Sequence, residues 1–492
     1  MIEIDTLEGF DAWVASACAP AAIQGLDLRG RTDAIRHLRC PGTLFLACEL
    51  EPHAAGLLVQ HGAVVVPDLP DRAFTVHRSR LYAAEELYDA FDPDRPESFH
   101  DCLDQRIYRQ YVADGRGKPR DIAVGLWQGL HDHSISDALW EVLDSHPVVA
   151  VMGGHGLDRS EPGYAQVVRL SKMLAERGYL MVSGGGPGAM EATHLGAWLA
   201  GRPDDVIDAV LSGPFAVRPV GARPHTEYAD PDWLQRAWRV REQWPRVNGT
   251  LSVGIPTWLY GHEPPTPFAT HIAKYFANSI REDGVLSVAT HGVVFAPGSA
   301  GTIQEIFQDA CQNHYATTGQ ISPMVLLGRE YWTTTKPVWP LLEQVSGGQV
   351  YGDLVCLVDS CREAVDRIQR FEASWYVAPS EPEAALEAEL RRALKLRSNW
   401  SITRVDPPSG TRQWLGPEAA DRLADWLFDV GGDDWIHRDS AASFWRAVLL
   451  REGRPRLALV PDPAPARPLV ARDLLVLALE GGESAWRLAL AD

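Results

Sequence analysis

From about residue 146 onward the chain repeats one pattern. A short, uninterrupted apolar run is followed by a glycine-bearing break and then by a stretch with apolar residues at helical spacing. Val148–Met152 runs into Gly153-Gly154-His155-Gly156, and residues 165–177 then place Val167, Val168, Leu170, Met173 and Leu174 on one helical face before Gly178. Residues 179–182 predict a second strand, which leads into Ser183-Gly184-Gly185-Gly186-Pro187-Gly188 and a helix over 189–199. Further apolar runs follow at 251–255, 292–296, 324–327 and 354–358. Runs without alternation are strands buried on both faces, and their regular exchange with helices predicts a parallel sheet covered on two sides. The expected fold class is α/β, with a doubly wound parallel sheet whose ligands sit at the carboxyl ends of its strands.

The flanks read differently. Residues 1–145 mix short apolar runs (43–47, 62–66) with amphipathic stretches (80–91, 121–143), which predicts a small α/β or mostly helical accessory domain. The core domain is expected over 146–379, with an irregular insertion or lid over 201–248. Its Trp233, Trp238 and Trp244 are read as packing residues, with stacking on a ligand as the alternative. A polar linker begins at Ser380, a helix is expected over 384–394 and a strand over 469–479, so 380–492 is read as a C-terminal α+β domain.

Length and composition then narrow the classes. The 492 residues are too many for one small core, and 46% hydrophobic with 23% charged is ordinary for a globular chain. A formal net charge of -19 argues against nonspecific binding to nucleic acid or to anionic membrane. Seven dispersed cysteines without a CxxC pair fit free thiols in a reducing compartment. The N-terminus has no basic and apolar leader pattern, and no apolar run approaches the roughly 18 residues of a membrane span, so the cytoplasm is expected.

The chemistry is concentrated at two glycine turns, 183–191 and 297–305, each between a strand pattern and a helix pattern. Glycine lets a backbone approach a ligand closely, and the helix start beyond it offers free N–H groups to an anion. Two such turns on one sheet predict a two-sided phosphate cradle, formed by 185–188 and 298–302. Neither turn has the GxGxxG spacing of dinucleotide folds, and neither carries the lysine of a P-loop. The histidines lack metal-ligand spacing, and neither a metal nor a cofactor is expected. The five lysines all lie outside both turns, which disfavours pyridoxal phosphate chemistry.

The run Gly184-Gly185-Gly186-Pro187-Gly188-Ala189-Met190-Glu191-Ala192, the PGGxGTxxE-like stretch 297–305 and an upstream arginine together resemble the LOG family of Rossmann-like phosphoribohydrolases. Gly153-Gly154-His155-Gly156 and Glu263-Pro264-Pro265-Thr266-Pro267 resemble its longer branch, the bacterial nucleotide 5'-monophosphate nucleosidases. The overlap covers about 146–375. The resemblance implies hydrolysis of the N-glycosidic bond of nucleoside 5'-monophosphates, a homodimer or larger homo-oligomer, and Glu305 as the catalytic carboxylate beside an oxocarbenium-like centre.

Arg281 is taken as the partner arginine, although the family spacing falls on Glu282 and an insertion across 283–290 must be assumed. Gly153, Gly154, His155, Gly185, Gly186, Gly188, Met190, Glu191, Gly298, Ser299, Gly301 and Thr302 are the expected binding residues. For Glu191 and His155 the structural alternatives, helix-dipole support and loop pairing, stand beside ligand contact. Ser299 replaces a usual glycine, and a left-handed backbone there would strain it by about 1 kcal/mol or more. Two other readings remain open: a non-catalytic nucleotide sensor or carrier, and a phosphoribohydrolase for N6-modified AMP of the cytokinin type.

Overall fold

The computed structural model describes residues 2–16, 20–69, 71–143, 146–217, 228, 230, 232–247, 249–315, 321–349 and 351–375, with strands at 400–405, 457–461, 474–478 and 484–490. The architecture is α/β with parallel sheets, as the buried apolar runs predict. The chain divides into two compact units. One comprises residues 1–289 and 296–302, the other 290–295 and 303–492.

The first unit opens with four short strands, β1 (Ile2–Ile4), β2 (Ala21–Gln24), β3 (Leu44–Leu46) and β4 (Val64–Val66), in that order in one parallel sheet. Helices α1 (Leu7–Ala15), α2 (Thr32–His37) and α3 (Pro52–Gln60) supply the crossovers. Thr6 starts α1 by accepting the Gly9 N–H at 3.1 Å, and Pro52 pre-sets the first turn of α3. Phe10, Ile23, Ile35, Phe45 and Leu58 are fully buried in the core between them. Within the expected accessory region this part is a β/α repeat of its own.

Three helices follow: α4 (Ala84–Leu87), α5 (Leu103–Ala113) and α6 (Ile122–Leu143). The amphipathic stretch 80–91 holds only one helical turn. Tertiary pairing overrides its periodicity, because Tyr82 and Ile272 exchange backbone hydrogen bonds at 3.0 and 2.8 Å as a bridge. In α5, Asp104 ion-pairs with Lys274, both fully buried, and Trp258 Nε1 donates to the same carboxylate at 3.2 Å. Burial holds the Lys274 amine below its ordinary pKa, while Asp104 opposes that shift.

The strands that carry the glycine turns come next: β5 (Val148–Met152), β6 (Leu180–Ser183), β7 (Ser252–Gly254) and β8 (His271–Ile272). They pair in parallel in that order, with registers Val148↔Leu180, Met181↔Ser252 and Val253↔His271. Helices α7 (Pro162–Ala175), α8 (Ala189–Trp198), α9 (Asp204–Ser212), α10 (Asp232–Gln243) and α11 (Asn278–Ser287) complete the unit. The described residues of 201–248, read as irregular, include the helices α9 and α10. Trp233 is buried there, and Trp238 packs edge-on to Tyr88 and Phe91, so the packing reading describes both. Both oxygens of Asp132, on α6, accept the Phe276 and Ala277 N–H groups at 2.8 Å, which anchors the segment leading into α11.

The second unit contains β9 (Gly292–Phe295), β10 (Met324–Leu327) and β11 (Val355–Val358), parallel and in the order β11-β10-β9. With them go α12 (Ala300–Tyr315, which begins in the first unit), α13 (Trp339–Ser346) and α14 (Cys361–Trp375). Strands β12 (Trp400–Val405), β13 (Leu457–Pro461), β14 (Leu474–Ala478) and β15 (Ser484–Leu490) form an antiparallel sheet in the order β12-β15-β14-β13. The helix expected over 384–394 lies outside the described residues. Among the described residues no helix is long and apolar enough to cross a membrane.

Candidate functional site

Three turns at the carboxyl ends of strands are stitched together inside the first unit. The Gly154 N–H, just past β5, donates to the Pro297 carbonyl at 3.2 Å. The Gly154 carbonyl accepts the Ala189 N–H, the first of α8, at 3.1 Å. The turn after β5 therefore joins the two glycine turns that the sequence pattern singles out.

The glycines are dictated by space. Gly188 has φ +68 and ψ -130, and a methyl group there would sit 2.4 Å from the Gly154 carbonyl oxygen and 2.5 Å from that of His155. Gly185, with φ +71, lies against Gly254, where a methyl group would meet the Gly254 Cα at 3.0 Å. A methyl on Gly153 would meet the Ala189 Cβ at 2.6 Å, and one on Gly298 the Thr302 Oγ1 at 2.1 Å. Gly301 has nothing within 4 Å of such a methyl. Ser299 is exposed and outside the left-handed region, which among the described non-glycine residues holds Ala47 and Arg116. The strain considered for Ser299 is therefore not present.

Residues 184–188 form a buried floor. No side chain caps α8, and among the described residues no protein acceptor meets the N–H of Gly186 or Gly188. Buried N–H groups of this kind at a glycine-rich helix start suit an anion. Three side chains close over the floor. Arg281 brings Nη2 to 2.7 Å from where a Gly184 methyl would be, Met190 brings Sδ equally close, and Glu263 brings Oε2 to 3.6 Å from a Gly186 methyl. The Gly185 carbonyl holds the proline-rich segment by accepting the Thr266 N–H at 2.8 Å.

The remaining expected residues are placed as follows. His155 is exposed, with its ring edge-on to Tyr228 at 6.1 Å between centroids. Thr302 is buried against Gly298. Glu305 is half-buried on α12 and belongs to the second unit, whereas Arg281 belongs to the first. Glu191 is completely buried, and its carboxylate is engaged by protein. Arg159 donates Nε to Oε2 at 2.8 Å and Nη2 to Oε1 at 2.5 Å, and the Tyr164 hydroxyl donates to Oε2 at 2.8 Å. Arg159 is stacked between Phe215 and Trp233, 4.0 and 4.5 Å from their ring centroids. Neither dipole support nor a ligand is required to explain Glu191. Arg159 lay in no sequence motif and was missed. Glu263 stands in the proline-rich motif but is not among the expected site residues.

Among the described residues, Glu3, Asp137 and Glu141 bring carboxylates together on the surface, an arrangement common without any ion. Of greater consequence is the buried histidine of α8. Burial lowers the His194 imidazole pKa to about 3 from an ordinary 6.5. An unfolded ring takes up a proton as pH falls through 6.5, while the folded one stays neutral until about 3. The unfolded state then binds more protons, so this contribution to stability is complete above pH 6.5 and is lost as pH falls toward 3. Asp309, whose carboxyl burial pushes well up, works in the opposite sense in the second unit. The informative quantity is accordingly a difference between two proteins. In guanidinium unfolding at pH 7.5 and pH 5, the acid penalty of His194→Gln should be smaller than wild type by about 1–2 kcal/mol. Equal penalties would contradict a neutral buried ring.

No family model matches the chain, and no curated protein matches it. Solved structures do match. A molybdenum cofactor binding protein from the phototrophic bacterium Rippkaea orientalis is 13% identical with a TM-score of 0.29, covering 46% of this chain and 98% of its own. Two structures of the molybdenum cofactor carrier protein from Chlamydomonas reinhardtii are 15% and 17% identical, with TM-scores of 0.28 and 0.29. They cover 46% of this chain and 99% and 98% of theirs. At such values the likeness assigns no ligand to this chain. It does correct an expectation, since these matches are named as molybdenum cofactor binding or carrier proteins and not as LOG-family hydrolases. The resemblance to the LOG family and the nucleosidase activity it implied, with the hydrolase and salvage roles attached, are therefore set aside. The physical reason is that the shared glycines are those a crowded strand-to-helix turn demands, so they report sterics and not a reaction.

Proposed function

We propose that this protein binds a small phosphorylated molecule as a carrier or sensor and releases it unchanged. The observation that carries the reading is the buried floor at 184–188, where glycine N–H groups and the uncapped start of α8 lie beneath Arg281. A phosphoryl group fits that arrangement, because backbone donors, a positive helix end and a guanidinium favour the same charge. Glu263 beside the floor suits hydroxyl groups of a sugar or a ring N–H on the rest of the ligand. Nothing in this arrangement demands bond cleavage. Nucleoside monophosphates are a suitable class, and the free thiols of the described cysteines are consistent with a reducing cytoplasm.

The test is calorimetric titration of the purified protein with AMP, adenosine, ribose 5-phosphate, ribose and inorganic phosphate. The molybdenum cofactor, the ligand in the names of the structural matches, forms a further arm. The phosphorylated member of each pair should bind at least about tenfold more tightly, and ligand recovered from the complex should be chemically intact. Equal binding with and without the phosphate, or turnover of the bound ligand, would overturn the proposal.

A further inference from the structure

The buried dyad of Ser183 and His194 lies directly behind the glycine floor. Ser183 is the last residue of β6 and His194 lies in the second turn of α8; neither side chain reaches solvent. The Ser183 Oγ is 2.8 Å from His194 Nε2, 3.1 Å from the Gly185 nitrogen and 3.3 Å from the Met190 carbonyl oxygen. The His194 Nδ1 is buried without a hydrogen-bond partner.

Counting protons fixes their arrangement. A hydroxyl has one proton and two lone pairs. With Nε2 protonated, Oγ accepts from both His194 and Gly185 and donates to Met190, and the orphan Nδ1 is only a lone pair. The other tautomer strands an N–H donor in the interior and takes the hydroxyl proton away from Met190, which costs more. The assigned state is therefore a neutral ring that donates through Nε2. Space around it is tight as well, because a methyl on Gly254 would lie 3.6 Å from Nε2 and 3.0 Å from the Gly185 Cα.

We infer that His194 is a positioning residue for the phosphate-binding turn: acting through Ser183, it turns the Gly185 N–H inward and leaves those of Gly186 and Gly188 to the ligand. The inference rests on the binding role proposed above. The dyad touches no ligand itself. Its effect is to select one of the several conformations open to three consecutive glycines, so that the donors are arranged before the anion arrives. One hydroxyl thus ties together the strand end, the turn and two positions of the helix that follows.

A double-mutant cycle with AMP as the probe tests this in the full chain. Ser183→Ala and His194→Leu should each weaken AMP binding roughly tenfold while remaining folded, and the double variant should lose no more than either alone. His194→Gln, which can restore an N–H donor near Nε2, should recover most of the affinity. Additive losses, or wild-type affinity in a folded His194→Leu protein, would overturn the inference. Hydrogen-exchange mass spectrometry of ligand-free peptides spanning 183–190 gives a separate readout, and one that remains if His194→Leu does not fold. Ser183→Ala should expose the Gly185 amide and His194→Gln should keep it protected. Unchanged exchange in Ser183→Ala sinks the inference whether or not AMP binds. Changed exchange in a wild-type background that binds no phosphate compound sinks the binding role instead.

Discussion

Gly188→Ala is expected to abolish binding of phosphorylated ligands and to lower the unfolding free energy by about 3 kcal/mol or more. Two independent costs add at this position. The backbone has φ +68, which an L-residue adopts only with strain, and the new methyl would overlap two carbonyl oxygens at 2.4 and 2.5 Å. Those carbonyls belong to Gly154 and His155, so relief requires moving the turn after β5, and with it the hydrogen bonds to Ala189 and Pro297. The damage should spread to every turn that lines the floor. Gly301→Ala is the matched control, because that glycine is exposed, lies in the first turn of α12 and has open space where a methyl would go. It should be neutral or stabilising by up to about 1 kcal/mol. Urea unfolding and AMP titration on both variants decide the matter; a Gly188→Ala protein with wild-type midpoint and affinity would show that the turn is not crowded.

Glu191→Gln should destabilise the fold by about 3–5 kcal/mol. The substitution leaves the Arg159 guanidinium buried among Phe215, Trp233 and Tyr164 without its counter-charge. Replacing both partners, Arg159→Met with Glu191→Met, should be much less damaging than either single change, because an apolar pair leaves no stranded charge. The same variants separate the two readings of Glu191. A carboxylate that contacted ligand would change affinity at constant stability, whereas the buried ion pair predicts a large shift in the denaturation midpoint.

The periodicity of the chain makes β5, β6, β7, β9, β10 and β11 legible, because strands buried on both faces announce themselves as unbroken apolar runs. The glycine turns were equally readable. Their meaning was not: Gly153, Gly188 and Gly298 are required by neighbouring atoms whichever ligand, if any, occupies the floor. Family resemblance carried on such glycines therefore reached the right fold class and the wrong activity. The two-residue strand β8 and the single helical turn within 80–91 escaped for another reason. Each is defined by a partner far away in sequence, as in the bridge from Tyr82 to Ile272.

What the chain determines by itself is local: where strands and helices alternate, and where glycine-rich turns join them. These follow from side-chain spacing and backbone sterics within a few residues. The tertiary structure decided which charges are spoken for. Arg159 reaches Glu191 across 32 positions, Asp132 holds the lead-in to α11 across more than 140, and Ser183 meets His194 only because β6 and α8 fold back against one another. Such pairings leave no periodic trace in a sequence, since the energy of a buried polar contact depends on the geometry of two elements and not on the composition of either.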